Sequence, residues 1–139
     1  MPSFAQDDIS PEYVDNELNK LEMNHRKTLG KKGEDIAIAA LQHEGHHIVA
    51  TNWRSGHKEI DIIAFKDNTF IFIEVKTRSH IRFGLPEMAV TETKAEHVTS
   101  AALEFLDGKC YKHIRFDVIS IVIKHQQVLD YLHIKDAFY

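Results

Sequence analysis

Glu59-Ile60-Asp61-Ile62-Ile63-Ala64-Phe65-Lys66-Asp67-Asn68-Thr69-Phe70-Ile71-Phe72-Ile73-Glu74-Val75-Lys76 is the stretch on which the fold turns. Two runs rich in Ile and Phe flank Lys66-Asp67-Asn68. β-Branched and aromatic residues suit a pleated, half-buried surface, and Asp-Asn suits a tight turn. With Asp67 and Asn68 as a two-residue turn, Phe65 faces Phe70, Ile63 faces Phe72, Asp61 faces Glu74 and Glu59 faces Lys76. Facing residues of an antiparallel pair point to the same side of the sheet. Ile62 with Ile73, and Ile60 with Val75, then make the other side wholly apolar. A slip of one residue would set Asp61 against Val75 and mix the two faces, so the pattern selects the register that gathers the charges.

Two carboxylates directly opposite each other repel and destabilise a sheet. At the end of a face made otherwise of Phe and Ile they are also expected to be partly desolvated. A shared proton, a cation or both would offset this. A hard divalent ion such as Mg²⁺ takes carboxylate oxygens and keeps several waters. Lys76, two residues beyond Glu74 on the same face, could balance charge, orient a water or stabilise an oxyanion. The competing reading is an ordinary Glu59–Lys76 cross-strand ion pair, with Asp61 and Glu74 at a solvated edge.

Outward from the hairpin, residues 47–53 read as a preceding strand, and residues 113–123 and 128–134 as two later ones joined at Lys124-His125-Gln126. A helix is predicted over residues 92–106, with Thr91 as a possible cap, Gly108 as its stop and Val98, Ala101, Ala102 and Phe105 on its inner face. Ser10-Pro11 starts a short amphipathic helix over residues 11–25, with Val14, Leu18 and Leu21 as its stripe. A second helix over residues 29–44 stops at Gly45 and carries Ala37, Ala40 and Leu41. Near its start, Glu34 is either a first-turn charge favoured by the helix dipole or a further member of the acidic site. Gly33 beside it would allow close approach to the sheet. The order helix, helix, three strands, helix, two strands predicts an α/β domain with a mixed sheet flanked by helices.

The 139 residues suit one domain, with 43% hydrophobic and 27% charged residues typical of globular chains. Cys110 is the single cysteine, so no internal disulfide can form. No apolar run is long enough to span a bilayer and the first residues are acidic, so a cytoplasmic location without a membrane partner is expected. The net charge of −4 is uneven. Six acids against Lys20 give residues 1–24 a balance of −5, which leaves +1 for residues 25–139. Charge therefore neither requires nor excludes a polyanionic partner.

Three features read as decoys. His43-Glu44-Gly45-His46-His47 matches the letters of a zinc-protease motif, but Gly45 should end the helix that such a motif needs. Arg115 and Asp117 alternate onto one strand face as a structural ion pair. Cys110 is expected to be a plain buried thiol.

The ordered motifs Gly33-Glu34, Asn52-Trp53-Arg54, Glu59-Ile60-Asp61 and Phe72-Ile73-Glu74-Val75-Lys76-Thr77-Arg78 resemble those of the YraN family of small endonuclease-like proteins. Phe83-Gly84, Lys94, Arg115-Phe116-Asp117-Val118 and the ending from Ile134 to Phe138 agree. The resemblance spans roughly residues 30–138, and the family is similar to Holliday-junction resolvases and the wider PD-(D/E)XK nucleases. Ile60 stands where that superfamily has proline, and Lys58 where family members often have glycine. The resemblance implies a restriction-endonuclease-like core at 29–139 behind an N-terminal extension at 1–28. It implies that Asp61, Glu74 and Glu34 bind Mg²⁺ or Mn²⁺, and that Lys76 is catalytic beside Asp61 and Glu74. The implied activity is phosphodiester hydrolysis on DNA, branched or distorted structures included, with Arg54, Arg78, Arg82 and Lys94 as phosphate contacts and a homodimer as the working form. The alternatives are a non-catalytic nucleic-acid-binding module and a scaffold that uses the 11–25 helix.

Overall fold

Turn chemistry and strand composition place most of the chain. The computed structural model describes residues 11–79 and 92–138, with side chains described at residue 25 and from residue 27 onward. The elements are α1 (Pro11–His43), β1 (His47–Ser55), β2 (Lys58–Lys66), β3 (Thr69–Arg78), α2 (Glu92–Leu106), β4 (His113–Lys124) and β5 (Gln127–Ile134). Among the described residues the strands form one mixed sheet in the order β1-β2-β3-β4-β5. Only the β3–β4 pair is parallel, and α2 makes its crossover. Asp67 (φ 52°) and Asn68 (φ 57°) turn β2 into β3, and His125 (φ 51°) and Gln126 (φ 62°) turn β4 into β5. Two consecutive left-handed residues are the signature of the type I′ hairpin turn, whose twist suits the strands.

The sequence reading separates a helix at 11–25 from one at 29–44, but the structure has one helix, Pro11–His43. Nothing between residues 25 and 30 breaks a helix: no proline intervenes, and Gly30 costs only about 1 kcal/mol relative to alanine. The helix therefore runs on across the junction expected between an extension and a domain. The Val14, Leu18 and Leu21 side chains lie outside the described residues, as do Thr91, the Phe83-Gly84 motif and Arg82.

The sheet is covered on both faces. On one, Val98, Ala101, Ala102 and Phe105 of α2 bury Ile60, Ile63, Phe70, Phe72 and Phe116. Phe72 stacks on Phe116 with ring centroids 5.4 Å apart, and Trp53 meets Phe105 edge-on at 5.6 Å. On the other face, Ala37 and Leu41 of α1 pack on Ile62, Ala64, Ile71, Ile73, Ile119 and Ile121. The approach of α1 is close because residue 33 is glycine, where an added Cβ would collide with the Thr77 hydroxyl. No helix among the described residues is long and apolar enough to cross a membrane.

α1 ends in a Schellman motif. His46 N–H donates to the Leu41 carbonyl and Gly45 N–H to that of Gln42, with Gly45 at φ 91°. His43 is thus the last helical residue and His47 the first of β1, so the zinc-motif letters do not share a helix face. Cys110 corrects its expectation: it is exposed, because it lies in the surface connection between α2 and β4. Arg115 and Asp117 do form the structural pair, Nε and Nη2 donating to the two carboxylate oxygens at 2.8 and 2.9 Å. His133 Nε2 and the Asp136 N–H also reach Asp117, at 2.7 and 3.0 Å.

Candidate active site

The hairpin register holds from the turn inward and then fails at Asp61. Lys66↔Thr69, Phe65↔Phe70, Ile63↔Phe72 and Ile62↔Ile73 pair as the sequence predicts. Asp61↔Glu74 and Glu59↔Lys76 are not ladder partners, and Ile60 and Val75 lie on opposite faces. Beyond Ile62 and Ile73 each strand keeps only its outer neighbour. Ile60 and Glu59 stay with β1, opposite Trp53 and Arg54, while Glu74 to Arg78 stay with β4, opposite Val118 to Val122. β2 and β3 therefore part, and the Asp61 carboxylate fills the gap by accepting the Val75 N–H at 2.9 Å.

The neighbouring strand is irregular at the same level. Ala50 and Trp53 both pack towards the α2 core although three residues apart, and so do Ile60 and Ile63. Between them Asn52 takes φ 49°, a left-handed backbone inside a strand. Its Nδ2 donates to Glu34 Oε2 on α1 at 3.3 Å. Asn52 has no functional role in the sequence reading. The signal available was asparagine, a poor strand former that tolerates positive φ, inside a β-run.

Glu74 is 2% exposed, so the solvated-edge alternative fails. Its Oε2 meets Lys94 Nζ of α2 at 3.4 Å, and its Oε1 is buried with no hydrogen-bond donor among the described residues. Burial, reinforced by the Asp61 charge, pushes the Glu74 carboxyl up to about 7 against the pull of Lys94 and Lys76. Burial also raises Asp61, opposed by the Val75 N–H and the charges of Lys94 and Lys76. Glu34 is raised by burial and by Asp61, while the Asn52 hydrogen bond works the other way. The Asp61 charge thus acts on both Glu34 of α1 and Glu74 of β3. Among the described residues, however, no three His, Cys, Asp or Glu side chains converge as a ready ligand set.

Lys76 is half-buried on the Glu74 side of β3, as strand alternation requires. Glu59 takes Arg54 instead, at 3.4 Å, so the Glu59–Lys76 ion pair of the competing reading is not formed. Arg54 is otherwise exposed on β1, and Arg78 is half-buried at the end of β3. Lys94 is at the acids themselves, a placement that sequence spacing could not give.

A family model described as "Uncharacterised protein family UPF0102" matches residues 33–121, which contain all these acids and both lysines. The UPF0102 protein of Rhodococcus jostii is 40% identical over 118 residues, covering 84% of this chain and 100% of the relative. That of Geotalea daltonii is 44% identical over 117 residues, covering 83% of this chain and 92% of its own. That of Bacteroides thetaiotaomicron is 40% identical over 121 residues, covering 84% and 97%.

Proposed function

Starting from the chain's membership of the uncharacterised family UPF0102, the YraN family of its sequence motifs, we propose that it is a cytoplasmic metal-dependent nuclease with a restriction-endonuclease-like core, acting on DNA. The observation that carries this reading is Glu74: a buried acid whose Oε1 has no partner among the described residues, beside Asp61 in the gap between two parted strands. The donor chemistry fits a hard divalent cation. Asp61 and Glu74 would hold Mg²⁺ or Mn²⁺, with Glu34 drawn on from α1. Such an ion supplies Lewis acidity towards a phosphate and lowers the pKa of bound water. Lys76 then donates to the phosphoryl oxygen on which charge develops. Lys94 neutralises Glu74 in the free protein, and Arg54, Arg78, Arg82 and Lys94 bind backbone phosphates. Branched or distorted DNA is the substrate class to test first, and a homodimer is the form that would present two such sites to it.

The test is cleavage of branched, flapped and linear DNA across Mg²⁺ and Mn²⁺ concentrations. Asp61→Asn should abolish cleavage. Lys76→Ala should keep metal affinity yet lose about 10²–10³ in rate, the usual cost of a lost transition-state donor. A wild-type protein that binds no divalent cation defeats this reading. Metal binding with no cleavage of any substrate selects the second reading, a non-catalytic nucleic-acid-binding module. Among the described residues, the lack of a converged three-ligand set is what favours that module.

A further inference from the structure

We propose that Asn52 is a positioning residue of this site, one that holds Glu34 where it can join Asp61 in binding a divalent cation; the inference rests on the metal-dependent reading above. Three observations meet at this residue. First, Asn52 is a non-glycine residue at φ 49° within β1. A left-handed residue costs free energy in a strand, and it persists only where its surroundings hold it. Second, Asn52 stands opposite Asp61, between the pairs Thr51↔Ile62 and Trp53↔Ile60. Third, the Asn52 carboxamide crosses from the sheet to α1 and donates to Glu34 Oε2 at 3.3 Å.

Glu34 needs such a donor. Its neighbours Asp61, Glu59 and Asp35 are all acids, and a long side chain among like charges has no fixed orientation without a donor to hold it. Asn52 occupies one oxygen with a neutral donor, leaving the other for a cation. A lysine would hold Glu34 more strongly but would bring a competing positive charge. Asparagine therefore combines the two properties the position needs, tolerance of the left-handed backbone and an uncharged N–H donor.

The experiment is Mn²⁺ binding by calorimetry on the full chain, for wild type, Asn52→Gly, Glu34→Gln and the double variant. Glycine accepts φ 49° without strain, so Asn52→Gly keeps the backbone and removes only the side chain. It should weaken Mn²⁺ binding by about 10-fold or more, the usual effect of losing a group that orients a ligand. In the Glu34→Gln background the same change should have no further effect. Equal affinity of wild type and Asn52→Gly, or an undiminished loss in the Glu34→Gln background, overturns the inference and leaves the metal reading intact. No Mn²⁺ binding by wild type overturns the metal reading, and this inference with it. A second readout does not depend on how Asn52→Gly folds: the Asn52 side-chain amide resonances of wild type should shift on Mg²⁺ addition and stay fixed in Glu34→Gln. Shifts of equal size in both proteins overturn the positioning role.

Discussion

Glu74 and Asp117 are acids inside the same sheet, and their surroundings move them in opposite directions. Burial and the Asp61 charge raise Glu74 from 4.5 to about 7. The folded chain thus holds this proton more tightly than the unfolded one. Without divalent cations, stability should fall as pH rises from about 4.5 through about 7, then level off. Asp61→Asn removes the repelling charge, and its amide oxygen can still accept the Val75 N–H. Melting temperature followed against pH should therefore decline less steeply in this variant; an unchanged slope would show that Asp61 does not govern Glu74. Asp117 is likewise pushed up by burial, but bonds from His133, Arg115 and the Asp136 N–H prevail and hold it at about 2, below its usual 3.8. Its stabilisation is complete above about pH 3.8 and is lost as pH falls through about 2. Asp117→Ala leaves the half-buried Arg115 and His133 without their shared acceptor and should cost about 1–3 kcal/mol in denaturant unfolding at neutral pH.

At the scale of elements, the contact between α1 and β3 decides where Glu34 sits. Gly33 lies against Thr77, so Gly33→Ala forces the helix away from the strand. Overpacking of this kind costs about 1–3 kcal/mol. Adding Thr77→Ala to Gly33→Ala removes the nearest atoms and should recover part of that loss, measured by denaturant unfolding. A Gly33→Ala protein as stable as wild type would mean that α1 can shift freely. The same contact was partly legible beforehand, since glycine before an inward acid signals close approach. That α1 is one helix was not legible: Ser10-Pro11 marked a start, but the absence of a stop before Gly45 outweighed the second start read at Leu29.

At the scale of the molecule, α1 reaches far beyond the part that covers the sheet. Its core contacts are at Ala37 and Leu41, with Leu29, Ile36 and Ile38 beside them. The apolar stripe expected from Val14, Leu18 and Leu21 needs cover from this domain or from a second chain. Deleting residues 1–25 should lower the melting temperature or change the oligomeric state in sedimentation. If neither moves, the first turns of α1 stand apart from the fold, and the scaffold reading of that helix loses its support.

The sequence by itself determined the strands, their turns and one helix, because those signals are local. Asp67-Asn68 could take the left-handed turn, alternating Ile and Phe could sit only in a pleated sheet, and Gly45 and Gly108 could end helices. It also put Asp61, Glu74 and Lys76 in one neighbourhood, through the hairpin register that holds as far as Ile62↔Ile73. The detail of the site was decided only in three dimensions. β2 leaves β3 beyond Ile62↔Ile73 while each keeps its outer neighbour, and no local pattern shows where that parting falls. There the Asp61 carboxylate accepts the Val75 N–H, Glu74 is buried with Lys94 of α2 at its carboxylate, and Asn52 donates to Glu34.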